Sequence, residues 1–240
     1  MIMRRTLFTT LALLLITFQA ASSSAGVCDE WNLLDKAVRD RTIPGALARQ
    51  KVIALHELLL TTYGNKVVTN ATTFPVKGYG VHWVGGKSGN GYRPSGYSFY
   101  DGNRHGGHPA HDIFIRDRNQ DCLDDVTGAA VEIVAFTEGV VVATNPAWEY
   151  PSTIRGGKYV WIFQPATERY HYYAHLADVA VSPGDLVTAG DVIGHLGRTG
   201  KNAYPRRSPT HLHFMTLSFA NGRMVPWNSY RQLLETGGRH

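Results

Sequence analysis

The chain has 240 residues, of which 43% are hydrophobic and 18% charged, and it carries a formal net charge of +5. That is enough apolar material for one domain with a substantial core plus an appendage. The basic residues are scattered rather than gathered into a stripe, which argues against nucleic acid as a partner.

At the N-terminus, Arg4 and Arg5 precede an apolar stretch from Leu7 to Phe18 and a small-residue run from Ala20 to Ala25. This is the pattern of a secretory signal peptide over residues 1–25, so the mature protein is expected to be exported, periplasmic or extracellular. The apolar core of about 12 residues is too short for a bilayer, which takes roughly 20, and no later stretch predicts a membrane span. Cleavage removes two arginines and no acids, lowering the charge to +3. Cys28 and Cys122 then permit one disulfide, with two free thiols as the alternative. Cys28 is a poor lipid-attachment site by resemblance to the lipobox, because Val27 stands where a small residue is usual.

Residues 26–73 are expected to form a helical segment. Val52, Leu55 and Leu59 recur at helical spacing, and Pro44-Gly45 divides the stretch into two helices. The segment reads either as a structural appendage or as an inhibitory pro-segment that covers the cleft.

Residues 74–240 switch to short β-prone runs separated by glycine, proline and asparagine: Val81 to Val84, Asp112 to Ile115, Val131 to Phe136, Gly139 to Thr144, Lys158 to Gln164, Tyr170 to Leu176, Leu186-Val187, Val192-Ile193 and His211 to Phe219. Such runs without helical crossovers predict an all-β core of antiparallel sheets, a sandwich or barrel. Between Gly85 and Gly107 lies a loop rich in glycine and tyrosine, whose Tyr92, Tyr97 and Tyr100 either wall a cleft or pack as an ordinary surface loop.

Two histidine clusters carry the chemistry. His211 and His213 lie two apart in a predicted strand and so share a face. His108 and Asp112 would stand about 13 Å apart in a straight strand, so a shared metal site demands a turn at Pro109. A zinc ion on His108, Asp112 and one further histidine would have three protein ligands and one open position. For His56, His82, His105, His111, His171 and His195 a surface or packing role is expected. The acidic stretch Asp117 to Asp125 imitates the start of a calcium loop, but Cys122 and Gly128 stand where that loop needs glycine and glutamate, so a solvated turn is favoured.

The segments His108-Pro-Ala-His-Asp112, Tyr173-Ala-His175-Leu176, Val181 to Gly194 and His211-Leu-His213 occur in the order of the LytM/lysostaphin-like zinc metallopeptidases, family M23, which the chain resembles from about Gly106 to Phe219. Ala110 and His111 depart from the usual first motif, where glycine and an apolar residue are common, without removing a ligand. The resemblance implies a lysostaphin-like β sandwich (duplicated hybrid motif) with one zinc on His108, Asp112 and His213. It also implies catalytic roles for His175 and His211, and hydrolysis of peptide bonds in peptidoglycan cross-links by a zinc-activated water, by a monomeric enzyme. Two other readings stay open: a non-catalytic relative that binds cell wall or activates a hydrolase, and a zinc peptidase acting on proteins.

Overall fold

A computed structural model describes residues 24–67 and 69–237. The predicted leader lies outside these residues up to position 23. Two helices form as the spacing predicts: α1 (Ser24–Arg39) and α2 (Gly45–Tyr63), the second opening directly after Pro44. On α1, Val27, Trp31, Leu34 and Val38 are buried, one face of a helix. Val52, Leu55 and Leu59 of α2 are buried with them. Among the described residues no helix is long and apolar enough to cross a membrane.

The rest of the described residues is built on nine strands, β1 (Ala110–Phe114), β2 (Glu132–Val134), β3 (Gly139–Asn145), β4 (Lys158–Gln164), β5 (Arg169–Val179), β6 (Leu186–Val187), β7 (Val192–Leu196), β8 (His211–Ala220) and β9 (Arg223–Trp227), followed by α3 (Tyr230–Thr236). Their order is β1-β8-β5-β4-β3-β6, with β7 joining β5 to β2 and β9 lying along β8. Every ladder is antiparallel. All of β3 and nearly all of β4 are buried on both faces, as their unbroken apolar runs require.

Each face of the sheet has its own core. On one, Tyr159, Trp161, Phe163, Tyr170, Met215 and Leu217 pack against α1 and α2. On the other, Ile113, Val160, Ile162, Tyr173, Leu212 and Phe214 pack with Ile133, Ile193 and Leu196 from β2 and β7. The helical segment therefore shares a core with the sheet.

One sequence expectation is corrected, two elements are added, and of the two cysteine alternatives the free thiols are found. Val81 to Val84 is no strand: Val81–Trp83 is a 3-10 turn that follows Gly80, and only Val84 bridges to Ile113. The strand β9 and helix α3 were not foreseen. Cys28 and Cys122 are both free; Cys28 lies in the core against the Tyr63 hydroxyl, and burial raises both thiols.

Most of the histidines set aside in the sequence are packing or surface groups. His56 Nε2–H donates to Glu168 (3.1 Å) and Nδ1 accepts from the Tyr170 hydroxyl (2.8 Å), tying α2 to β5. His111 reaches Asn228, His195 pairs with Asp178 at the surface, and His82 is exposed.

His171, 2% exposed, has only the Thr216 hydroxyl at 3.1 Å, and burial pushes it down to about 3. Between pH 6.5 and 3 the unfolded chain binds a proton that the folded chain refuses, so this group's contribution falls as pH drops through that window. The slope is about 1.4 kcal/mol per pH unit. The buried Asp35 carboxyl, raised to about 6 by burial, pulls the other way. Urea melts of wild type and His171→Gln isolate the effect: their difference in stability should change by about 2 kcal/mol between pH 7 and pH 5. An unchanged difference would count against a neutral buried His171.

Candidate metal centre and active site

The site is assembled by register. Asp112 on β1 pairs with His213 on β8, which pairs on its other side with Ala174 of β5. Directly paired residues of antiparallel strands project from one face, so Asp112 and His213 emerge together, and His211 follows two residues away. His108 joins them because the chain turns: it bridges to Arg93, Pro109 interrupts, and β1 begins only at Ala110. The bend demanded by the sequence is present, and His108 Nε2 lies 3.2 Å from Asp112 Oδ1.

His175 arrives by another device. It has φ +70°, and the register of β5 slips around it: Tyr159 pairs with Ala174 but Lys158 with Leu176. It is a β-bulge, an extra residue that re-aims its side chain. Without it His175 would share a face with Tyr173, in the core. The bulge lets Tyr173 and Leu176 both point inward, while His175 turns towards His211, with ring centroids 5.0 Å apart.

Thr199 holds this geometry. Its carbonyl accepts from His175 Nδ1–H at 2.8 Å, its hydroxyl donates to Leu176 O at 2.7 Å, and the same hydroxyl accepts from Lys158 N at 2.8 Å. Gly157, at φ +66°, lets the opposing loop come close, since a Cβ there would meet the Thr199 backbone.

Among the described residues, His108, Asp112 and His213 form the one group whose candidate ligand atoms all lie within 4.8 Å of one another. Asp112 Oδ1 is 3.2 Å from His108 Nε2 and 3.1 Å from His213 Nδ1. A tetrahedron with zinc–ligand bonds of roughly 2.0–2.1 Å has edges of about 3.3–3.4 Å, so the donor set fits zinc. The His108 Nδ1–H donates to Gly91 O at 3.1 Å, leaving Nε2 as the free lone pair. His211 Nε2 stands further off, 3.8 Å from Asp112 Oδ1, and its Nδ1–H donates to Pro209 O at 2.7 Å.

Electrostatics follow burial and the carboxylate. Burial pushes Asp112 up, but hydrogen bonds to His108 and His213 and the nearby imidazoles outweigh it and hold the group well below the usual carboxylate range. The bond to Asp112 raises His108 (35% exposed), whereas burial wins at His213 (17% exposed), which is lowered. Burial, then repulsion from His211 and His213, keeps His175 well below the ordinary imidazole value.

The cleft over these groups has a volume of about 220 Å³ and is also lined by His105, Arg155, Tyr172, Asn202 and Ser208. His105 and Arg155 had no motif spacing to mark them. No residue of α1 or α2 lines this cleft, nor do the tyrosines of the 85–107 loop. Instead Tyr97 and Tyr100 pack on the core and Tyr92 stacks on His111. The acidic stretch is a turn: Asp117 accepts from Asp121 N, Cys122 N and the Thr210 hydroxyl, and Asp124 accepts from Val126 N and Thr127 N and pairs with Arg116.

Residues 121–225 match the model for peptidase family M23, a span that holds His175, His211 and His213 but begins after His108 and Asp112. The glycyl-glycine endopeptidase ALE-1 of Staphylococcus capitis is 28% identical over 137 residues, covering 56% of this chain and 31% of that protein's length. Among solved structures, the catalytic domain of lysostaphin from Staphylococcus simulans is 23% identical, with 65% of this chain and 98% of that one covered at a TM-score of 0.39. A zinc-containing peptidase from Vibrio cholerae is 22% identical, with 65% and 39% covered at a TM-score of 0.40. The resemblance read from the motifs is thus supported over residues 121–225 by the match to the peptidase family M23 model, and the chain is similar in sequence to a glycyl-glycine endopeptidase.

Proposed function

We propose that the chain is an exported zinc metalloendopeptidase that hydrolyses peptide bonds in the cross-links of peptidoglycan. The observation that carries this reading is the convergence of His108 Nε2, Asp112 Oδ1 and His213 Nδ1 beside two further imidazoles in an open cleft. The glycyl-glycine endopeptidase among its relatives supports a peptide substrate.

A zinc ion held by the three ligands would lower the pKa of a water towards 7 and polarise the scissile carbonyl. The chain's own part is proton handling. His211 and His175 each fix Nδ1–H on a backbone carbonyl, of Pro209 and Thr199, so each keeps a proton-accepting Nε2. Burial keeps His175 neutral at physiological pH, as a base must be. Once protonated, either ring can return its proton to the leaving amine. No carboxylate other than Asp112 lines the cleft, so the histidines carry this role.

The test is digestion of purified sacculi by the zinc-loaded protein. New amines should appear, vanish with a chelator and return when zinc is restored. Sedimentation with sacculi without any amine release would overturn the enzyme reading in favour of a wall-binding relative.

A further inference from the structure

A second pocket lies beside the metal cleft, and α1 supplies part of it. His105, Arg155, Gly156 and Tyr172 line both, so the two are separated by a single layer of residues. Asp35, Val38 and Arg39, one face of α1, form one side, and Phe99, Tyr159 and Trp161 contribute aromatic walls. The volume is about 80 Å³. One water needs roughly 10–15 Å³ on that measure, so the pocket takes about five to eight water-sized groups.

Asp35 is the unusual member. It is 6% exposed, and its carboxylate accepts a single hydrogen bond, from the Tyr159 hydroxyl at 2.5 Å. Among the described residues no direct ion pair reaches it, and the charges of Arg39 and Lys36 act on it from further off. Arg39 is engaged by both oxygens of Asp40 at 2.7 Å and donates to Asn145 and Tyr159. Arg155 donates to His105 O. A buried carboxylate with one donor is costly, and here it faces a cavity that opens beside the reaction site. Burial raises Asp35 only to about 6, so it stays ionised at neutral pH.

We propose that this pocket is a side-chain subsite, built by the N-terminal helix, that takes an aliphatic primary ammonium group of the substrate peptide. The inference rests on the peptidase reading above. The ammonium gives the Asp35 carboxylate a direct ionic partner, against the opposing charges of Arg39 and Arg155 in the same lining, and its methylene stem lies along Trp161 and Tyr172. An acidic side chain would meet Asp35 with like charge, and a neutral one would leave it unpaired.

Blocked peptides carrying lysine, norleucine or glutamate on either side of the scissile bond test this with the full-length protein. Lysine should exceed norleucine about tenfold in kcat/KM, mostly through KM, with glutamate poorest. In Asp35→Asn the preference should disappear while Tm holds or rises, since the amide can still accept from Tyr159 and no buried charge remains. Equal rates for lysine and norleucine in the wild type, or a preference for glutamate, would overturn the proposal. Separately, n-butylammonium chloride should shift the Trp161 indole NMR resonance saturably, and 1-butanol should not. Binding of butylammonium with no peptide cut would sink the peptidase reading and leave the pocket standing. Peptides cut without preference, and no butylammonium binding, would sink the pocket alone.

Discussion

Asp112→Ala is expected to give a folded protein that retains no zinc and releases no amines, whereas His211→Ala should keep one zinc per chain and lose about 100- to 10,000-fold in turnover. The difference follows from position. Asp112 Oδ1 sits at 3.1 and 3.2 Å from the two ring nitrogens that join it in the candidate donor set. Without it, two imidazoles remain to hold a dication, and no anionic ligand balances its charge. His211 stands outside that triangle, 3.8 Å from the same oxygen, so its loss removes a proton acceptor and leaves the donor set whole. Zinc content of the purified variants, read beside circular dichroism and amine release, separates the two roles. Loss of zinc from a folded His211→Ala protein would mean that the ligand and the base have been exchanged.

Trp31→Ala should destabilise the protein by about 3–5 kcal/mol, the range for emptying a large aromatic side chain from a core. Trp31 is 2% exposed and stacks on Tyr170 of β5 with centroids 4.7 Å apart. Around it α1 is fastened to the sheet by polar links: Asn32 Oδ1 accepts from Thr144 N, Tyr159 donates to Asp35, and Arg39 reaches Asn145. These links support a structural role for the segment, and neither helix lines the metal cleft. Limited proteolysis between α1 and the sheet should therefore lower activity. A rise in activity, or a Trp31→Ala urea midpoint within error of wild type, would restore the inhibitory reading.

The strands that carry the site were legible because β8 and β5 are long apolar runs, and because residues two apart share a face whatever the fold. The turn at Pro109 followed from distance alone. What failed were places where tertiary contacts overrode a local pattern. Val81 to Val84 is apolar enough for a strand, yet glycines on both sides let the chain coil into a turn with one bridge to β1. In β9, Pro226 is accommodated because the strand lies along β8 alone, where an edge proline is tolerated. The hairpin joining β8 to β9 has a sequence signal of its own: Asn221-Gly222, both at positive φ, is a strong hairpin dipeptide. The bulge at His175 leaves no mark in composition or spacing. It exists because Thr199, Gly156 and Gly197, all distant in sequence or on other strands, supply its hydrogen bonds.

On β8, residues 211, 213, 215 and 217 are spaced by two along one face. The first two belong to the site, while Met215 and Leu217 belong to the core under the helices. Selection for a tight interior and selection for chemistry thus act on one row of side chains, with no boundary between them. A methylene too many at Met215 would be felt two residues away as a tilt of His213, and displacements near 1 Å can cost about a hundredfold in rate. An engineer seeking a more heat-resistant form of this protein should leave that row alone.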